Sequence, residues 1–167
     1  MDDRNGSTAL LLALAQIDPA TMSNAVTFAW SVEEETGLAG AAHMAQTLRP
    51  DTVFAIDTFV SSETPVDVQR IAGAPLGRGA VLRVLDSSTI VPPAIVDRVV
   101  GVARAAKVPL QLGTTRGGTD ASAFSAGGAI DIGLSWPGRY SHSPVEVMDR
   151  RDLDALVGLI AALARTY

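Results

Sequence analysis

Residues 93–112, PAIVDRVVGVARAAKVPLQL, carry the pattern that decides the fold, an amphipathic helix followed directly by a short apolar strand. Pro93 suits the first turn of a helix, where its backbone nitrogen needs no hydrogen-bond partner. One apolar face recurs at helical spacing and consists of Ile95, Val99, Val102 and Ala106. The pattern predicts a helix over residues 93–107 and a strand over residues 109–112.

The same alternation continues on both sides of this stretch. Further helices are predicted at residues 8–17, 37–48 and 153–164. Further strands are predicted at residues 25–31, 52–57, 80–85 and 129–135. Strands that alternate with helices are typical of an α/β fold with a largely parallel sheet. In such sheets functional residues gather at the carboxyl ends of strands.

Two segments carry more specific expectations. The helix over residues 8–17, TALLLALAQI, is apolar almost all round, so it is expected to be buried on most sides. Ser7 or Thr8 is expected to cap it. Residues 61–78, rich in Pro, Gly and Ser, form the longest irregular stretch and a candidate substrate-side loop.

Composition narrows the class of protein. A chain of 167 residues suits one domain, and the absence of cysteine excludes disulfides and thiolate metal sites. The net charge of −5, without a run of Lys or Arg, indicates no nucleic-acid partner. Residues 9–15 form the longest apolar run, too short to span a membrane, and no signal-peptide pattern is present, so a cytoplasmic location is expected.

Acidic residues and one histidine follow the predicted strands or precede the first helix. They are Asp2, Asp3, Glu33, Glu34, Glu35, Asp57 and His142. Neighbouring carboxylates repel each other unless cations neutralise them, and a pair of divalent ions would do so. Zinc accepts both carboxylate and imidazole ligands. A carboxylate left free of metal could then take a proton from the attacking water. From the residues alone, helix caps and solvated loops are the more common explanation for such acids.

Five short strings give this pattern a more specific meaning. They are DDRNG at residues 2–6, SVEEETGLAGA at 31–41, AIDT at 55–58, GGTDA at 117–121 and WPGRYSHSPVE at 136–146. In this order they resemble the motifs of metallopeptidase family forty-two, the glutamyl-aminopeptidase-like and tetrahedral aminopeptidases, sometimes described as endoglucanases. The resemblance spans essentially the whole chain. It implies a three-layer α/β sandwich with a mixed, largely parallel sheet, like that of co-catalytic zinc exopeptidases.

The resemblance also implies a role for each metal-site residue. Asp2 would bridge two divalent ions, zinc or cobalt, and Asp3 would follow it across a cis peptide bond. Glu34 would be the catalytic base and Glu35 a ligand of the first metal. The remaining ligands would be His142 for the first metal and Asp57 for the second.

Three further residues receive supporting roles from the same resemblance. Arg139 and Tyr140 would shape the loop that carries His142. Asp120, in the GGTDA string, would be structural or would support the metal ligands. The implied activity is removal of N-terminal residues from peptides by a water activated at the two metals.

The chain departs from the family pattern in its length. Family members are about twice as long, and their first catalytic segment, which carries one more histidine ligand, and their dimerisation domain have no counterpart here. Residues 1–167 are therefore expected to form a single, partial catalytic domain. The first metal would keep three ligands and the second only Asp2 and Asp57, so one bound ion instead of two is a clear alternative. The composition is apolar, 47% hydrophobic with a mean hydropathy of +0.25. Such a composition is expected if part of the surface packs against the segments that have no counterpart here.

These expectations leave more than one function open. The first is a metallo-aminopeptidase that acts on peptides, as a homo-oligomer or together with a missing N-terminal half. The second is a relic or single-metal-binding domain without turnover. A glycoside hydrolase, which also uses paired carboxylates, ranks below both because it needs neither His142 nor the DDRNG motif.

Overall fold

A computed structural model of the chain describes residues 1–61, 63 and 73–167. A short 3₁₀ turn, Pro19–Thr21, lies between the first two helices. The helices are α1 (Arg4–Leu14), α2 (Ala39–Thr47), α3 (Pro93–Ala105), α4 (Ser122–Ser125) and α5 (Arg150–Thr166). The strands are β1 (Thr52–Val60), β2 (Ala80–Leu85), β3 (Leu110–Thr114), β4 (Ile130–Arg139) and β5 (Val147–Met148).

The strands form one mixed sheet with the order β1-β4-β2-β3, and β5 pairs with β4. β1 runs parallel to β4, and β2 runs parallel to β3. The two pairs meet in antiparallel register, in which Leu82 faces Leu134. The carboxyl ends of β1 and β4 therefore lie side by side, with Asp57 opposite Ser135 and Thr58 opposite Trp136.

Helices cover both faces of this sheet. The larger apolar core joins one face of the sheet, including Leu82, Leu134 and Trp136, to the buried sides of α1, α3 and α5. On the opposite face Phe59 packs with Val81, and α4 contacts β4. Gly113 lies under the Phe59 ring, where a Cβ atom would collide with it. The prediction of an α/β fold with a mixed sheet between helical layers is confirmed.

Most predicted elements are present. β2 has the predicted limits, and α3 and α5 fall where their apolar stripes placed them. The strand predicted at residues 25–31 is wrong, because those residues form no β-ladder with any described strand and most of their side chains are exposed. β-branched and aromatic residues favour a strand, but a strand also needs a neighbouring backbone to pair with. α4 and β5 are too short to leave a periodic signal.

Helix α1 differs from its prediction in position and in burial. It begins at Arg4, and its N-cap is Asp3, whose side chain accepts a hydrogen bond from the Gly6 nitrogen, so the expected cap at Ser7 or Thr8 is wrong. Small residues face the core, while Leu11, with 57% of its surface exposed, points away from it. Burial on most sides was therefore also wrong. The reason is that Gly and Ala let α1 approach α5 closely through one narrow face.

The candidate substrate-side loop at residues 61–78 lies partly outside the described residues. Within its described part, Gly77 and Gly79 donate backbone hydrogen bonds to the two carboxylate oxygens of Asp152, each at 2.7 Å. Asp152 is fully buried in the first turn of α5. This contact fixes the path of the chain as it enters β2. Within the described residues, no helix is long and apolar enough to cross a membrane.

Candidate functional site

The carboxyl ends of β1 and β4 meet the start of α1 at an open cleft of about 320 Å³. The cleft is lined by residues that include Asp2, Glu34, Glu35, Asp57, Arg83 and His142. Residues that are far apart in the sequence, from both ends of the chain and from its middle, therefore line the same cleft. This is the sheet edge at which the sequence predicted functional residues to gather.

Asp2, Glu35 and His142 form the first ligand group. Each offers one ligand atom, and these atoms all lie within 4.8 Å of one another. His142 Nε2 is 3.3 Å from Asp2 Oδ2 and 3.2 Å from Glu35 Oε2. Two carboxylates and an imidazole are a suitable donor set for zinc or another divalent transition metal. The residues present therefore fit a metal ion at this position.

Asp2 also belongs to a second group, with Asp3 and Asp57, whose ligand atoms likewise lie within 4.8 Å of one another. Asp3 Oδ1 already accepts hydrogen bonds from the Gly6 nitrogen at 3.0 Å and from Trp136 Nε1 at 2.9 Å. Asp3 thus joins the start of α1 to the end of β4. Asp57 Oδ1 accepts a hydrogen bond from the Thr58 nitrogen at 2.7 Å. The second group is therefore more fully engaged by protein donors than the first.

Arg83 also lines the cleft, although no sequence motif pointed to it. Its side chain is 3% exposed and donates to Asp57 Oδ2 at 2.8 Å. It also donates to Ser135 Oγ at 2.8 Å, to the Gly118 carbonyl at 3.0 Å and to the Thr58 carbonyl. The signal was present, since a charged residue inside the apolar strand AVLRVL must find buried partners. Arg83 ties β2 to β1, to β4 and to the GGTDA segment.

Glu34 lies at the cleft but in neither ligand group. Burial raises the pKa of its carboxyl to about 7, and the nearby carboxylates of Asp57 and Glu35 raise it further in the same direction. Asp120 contributes to the same effect. A carboxyl with a pKa of about 7 can both accept and release a proton near neutral pH.

Two more carboxyls at the site have raised pKa values. Burial raises the pKa of Asp3 to about 7, against the opposing effect of its hydrogen bond from Trp136. Burial likewise raises the pKa of Asp57 to about 6, although the neighbouring Arg83 guanidinium lowers it. A cluster of buried carboxyls that hold protons near neutral pH is a place where added positive charge is favourable.

The two loops that carry Glu35 and His142 contain three residues with an unusual backbone conformation. Glu33, Tyr140 and His142 have φ angles of 58°, 64° and 60°, in the left-handed region that non-glycine residues rarely adopt. Each such residue costs roughly 1–3 kcal/mol, and such residues cluster at functional sites. The peptide bond between Asp2 and Asp3 is cis, as expected.

The supporting residues lie around the same cleft. Asp120 Oδ2 accepts a hydrogen bond from Ser31 Oγ, and its Oδ1 is buried without a partner among the described residues. Arg139 forms an ion pair with Glu63, with 2.7 Å between Nη2 and Oε2. Tyr140 is exposed at the start of the loop that carries His142. The roles expected for these three residues stay predictions.

Fold and site together are those of an α/β protein with a candidate hydrolytic metal centre. The M42 glutamyl aminopeptidase family profile matches residues 1–159. The chain belongs to this family of peptidases, and the resemblance noted from its motifs is confirmed.

Individual relatives agree with this membership. A putative aminopeptidase of Acetivibrio thermocellus is 30% identical over 163 residues, which cover 96% of this chain and 48% of that protein. The lysyl aminopeptidase of Pyrococcus furiosus is 34% identical over 80% of this chain and 38% of its own length. The TET1 peptidase of Pyrococcus horikoshii, whose structure superposes with a TM-score of 0.90, is 38% identical over 99% of this chain and 48% of that chain. The chain thus spans about half the length of the relatives it matches.

Proposed function

We propose that this chain carries the metal-binding and proton-transfer residues of a metal-dependent aminopeptidase. One observation supports this above all others. The ligand atoms of Asp2, Glu35 and His142 converge within 4.8 Å of one another at a cleft that Glu34 also lines. Membership of the M42 family supports peptides as the substrate class.

Asp2, Glu35 and His142 would hold a cation at the first position, and Asp2 and Asp57 would hold one at the second. Divalent ions bound there would supply positive charge that polarises the peptide carbonyl and lowers the pKa of the attacking water. Zinc and cobalt both suit this donor set of carboxylates and imidazole. Asp3 keeps its existing contacts with the Gly6 nitrogen and Trp136, and so holds the start of α1 beside the site.

Glu34 acts as the general base and then as the general acid. Its carboxylate takes the proton of the attacking water and later delivers it to the amine that leaves. The pKa of about 7 suits both steps, because the group changes protonation state near neutral pH. The acidic lining of the cleft offers acceptors for the free α-ammonium group of a peptide, which favours cleavage at its N-terminus.

The second metal position has fewer ligands than the first. Among the residues that the structure describes, Asp2 and Asp57 would serve it, and Asp57 is already paired with Arg83. We propose that residues outside this chain, in relatives about twice as long, complete the position. Homo-oligomerisation is part of the same proposal, since the TET1 relative can assemble into a tetrahedron or a large octahedral shell. The cytoplasmic location stays a prediction.

The first test is turnover of aminoacyl p-nitroanilides by the purified chain with added Zn²⁺ or Co²⁺. Glu34→Gln keeps the shape of the side chain but cannot act as a base, so turnover should fall by about 10²- to 10⁴-fold. Glu33→Gln, at a neighbouring glutamate outside both ligand groups, is the matched control. Equal turnover in the Glu34→Gln variant would rule out this assignment. Loss of turnover with a chelator would rule out a metal-independent glycosidase.

A single-metal-binding domain without turnover is the second candidate. It is favoured by the contrast between the first ligand group, which includes His142, and the second, whose carboxylates are engaged by Arg83, Thr58 and Trp136. Calorimetric titration with Zn²⁺ distinguishes the two candidates. One equivalent bound, with no turnover of any aminoacyl substrate, would support the second.

A further inference from the structure

Two hydroxyl groups contact the carboxylate of Asp2, and each contacts a different oxygen. Thr58 Oγ1 donates to Asp2 Oδ1 at 2.6 Å. Ser141 Oγ donates to Asp2 Oδ2 at 3.0 Å. The carboxylate is therefore held from two sides, by the end of β1 and by the loop that follows β4.

The two hydroxyls face different parts of the site. Asp2 Oδ2, the oxygen held by Ser141, is the one that lies 3.3 Å from His142 Nε2 in the first ligand group. Thr58, which holds Oδ1, also donates its backbone N–H to Asp57 Oδ1 of the second group at 2.7 Å. A carboxylate that bridges two cations through both of its oxygens directs one oxygen to each. The arrangement of the hydroxyls matches that division.

Hydroxyl donors suit this task for a simple electrostatic reason. They are neutral, so they orient a carboxylate without adding a charge that would repel a cation. Each carboxylate oxygen has more than one lone pair, so one hydrogen bond leaves room for a metal.

We propose that Thr58 and Ser141 are positioning residues that fix the two oxygens of Asp2 before a cation binds, one oxygen each. The inference rests on the proposed function, in which Asp2 serves both metal positions. Loss of an outer hydrogen-bond partner of a metal ligand typically lowers metal affinity about 10- to 100-fold. Neither residue stood out in the sequence, because a lone hydroxyl has no spacing pattern.

The first measurement uses the metal-free chain. Urea unfolding in EDTA is compared for Thr58→Val, Asp2→Ala and the double variant, and in a second cycle for Ser141→Ala with Asp2→Ala. If the contacts exist, each pair of substitutions is non-additive, by roughly fivefold in the unfolding equilibrium constant. Additive effects in both cycles would overturn the proposal.

The second measurement is Co²⁺ affinity, followed by its visible absorption. Thr58→Val and Ser141→Ala should each raise the dissociation constant about tenfold, and Thr58→Ser should restore it. Thr89→Val and Ser125→Ala are matched controls, because both hydroxyls donate to Asp131 Oδ2 near the opposite end of β4. The controls should bind Co²⁺ like the unaltered chain.

The outcomes separate this proposal from the proposed function. Non-additive unfolding together with weakened Co²⁺ binding supports both. Unchanged Co²⁺ affinity in Thr58→Val and Ser141→Ala overturns the positioning role, even if the chain binds metal. If the unaltered chain binds no Co²⁺, the proposed metal chemistry fails, and the metal-free cycles still decide whether the hydroxyls hold Asp2.

Discussion

At the scale of single residues, Arg83 makes the most demanding set of contacts in the site. It places a charge inside the sheet and satisfies it with Asp57, Ser135 and two backbone carbonyls. Such a residue is costly to lose, because its partners are then buried without a donor. The sequence showed the charge within β2 but could not show which groups would surround it.

Arg83→Met should therefore destabilise the chain strongly. We expect a loss of about 3–5 kcal/mol in the free energy of unfolding, the usual cost of breaking a buried ion pair from one side. Arg83→Lys should recover only part of it, because an ammonium cannot reproduce the fork of a guanidinium. Urea unfolding measures both variants.

The matched control is Arg150→Met, which breaks an exposed ion pair with Asp154 on α5. Exposed pairs of this kind contribute about 0.3–0.5 kcal/mol at most. A loss in Arg83→Met no larger than in this control would show that the Arg83 contacts contribute little.

The raised pKa values of three site carboxyls predict how stability depends on pH in the metal-free chain. Asp3 and Glu34 have folded pKa values of about 7, and Asp57 of about 6, against ordinary values of 3.8 to 4.5. Between about pH 4 and pH 7 the folded chain therefore binds more protons than the unfolded chain. Their contribution to stability is full below about pH 4 and is lost as pH rises through 6 to 7.

We accordingly expect the chain in EDTA to resist urea better at pH 5 than at pH 8. Asp3→Asn should reduce the difference, since an amide mimics the protonated acid and can still accept from the Gly6 nitrogen and Trp136. Asp149, whose pKa its hydrogen bonds from Arg151 lower to about 2, titrates outside this window. A chain that is more stable at pH 8 than at pH 5 without metal would contradict the prediction.

At the scale of elements, α1 shows that an apolar helix can pack against the core mainly through small residues, with Leu10 partly buried beside them. Its buried residues are Gly6, Ala9 and Ala13, and its leucines at 11, 12 and 14 are exposed. The apolar sequence of α1 predicted burial on most sides. A pattern that is apolar all round does not say which side faces the core. The side was decided by close approach to α5.

Ala9→Leu should thus be more harmful than a change from an exposed leucine to a polar residue. An extra isobutyl group at the α1–α5 contact should cost about 1–3 kcal/mol by overpacking. Leu11→Ser should change stability by about 0.5 kcal/mol or less, because the side chain is largely exposed. Thermal unfolding of the two variants compares them directly, and a Leu11→Ser effect equal to that of Ala9→Leu would contradict the assignment of the buried face.

The elements also show what periodicity can and cannot predict. α3, α5 and β2 were found because each carries a long enough pattern of its own. The segment at residues 25–31 has the composition of a strand but no partner among the described strands. The candidate site shows the same limit of sequence-based prediction. Motif strings predicted that Asp2, Glu35 and His142 would meet, whereas Thr58, Ser141 and Arg83 act through contacts that only the folded chain reveals.

At the scale of the whole molecule, cation binding should be visible as global stabilisation. A ligand that binds only the folded state at a hundred times its dissociation constant adds about 2.7 kcal/mol. We expect Zn²⁺ or Co²⁺ to raise the melting temperature of the chain and EDTA to reverse the shift. His142→Ala should remove most of the effect.

The other histidine of the chain provides the control. His43 is exposed on α2 and belongs to neither ligand group, so His43→Ala should keep the full shift. Equal shifts in the two variants would mean that the cation binds elsewhere. Metal-induced shifts that disappear in both would point to a loss of folding, which circular dichroism would detect.

The fluorescence of the Trp136 indole can report on the state of the site. The chain has two tryptophans, one fully buried and hydrogen-bonded to Asp3, the other, Trp30, with 41% of its surface exposed. In a Trp30→Phe chain all tryptophan emission comes from a ring that touches the carboxylate cluster. Paramagnetic Co²⁺ near Asp2 should quench that emission, while diamagnetic Zn²⁺ should shift it without quenching. Metal arrival could then be timed by stopped-flow fluorescence without an attached dye.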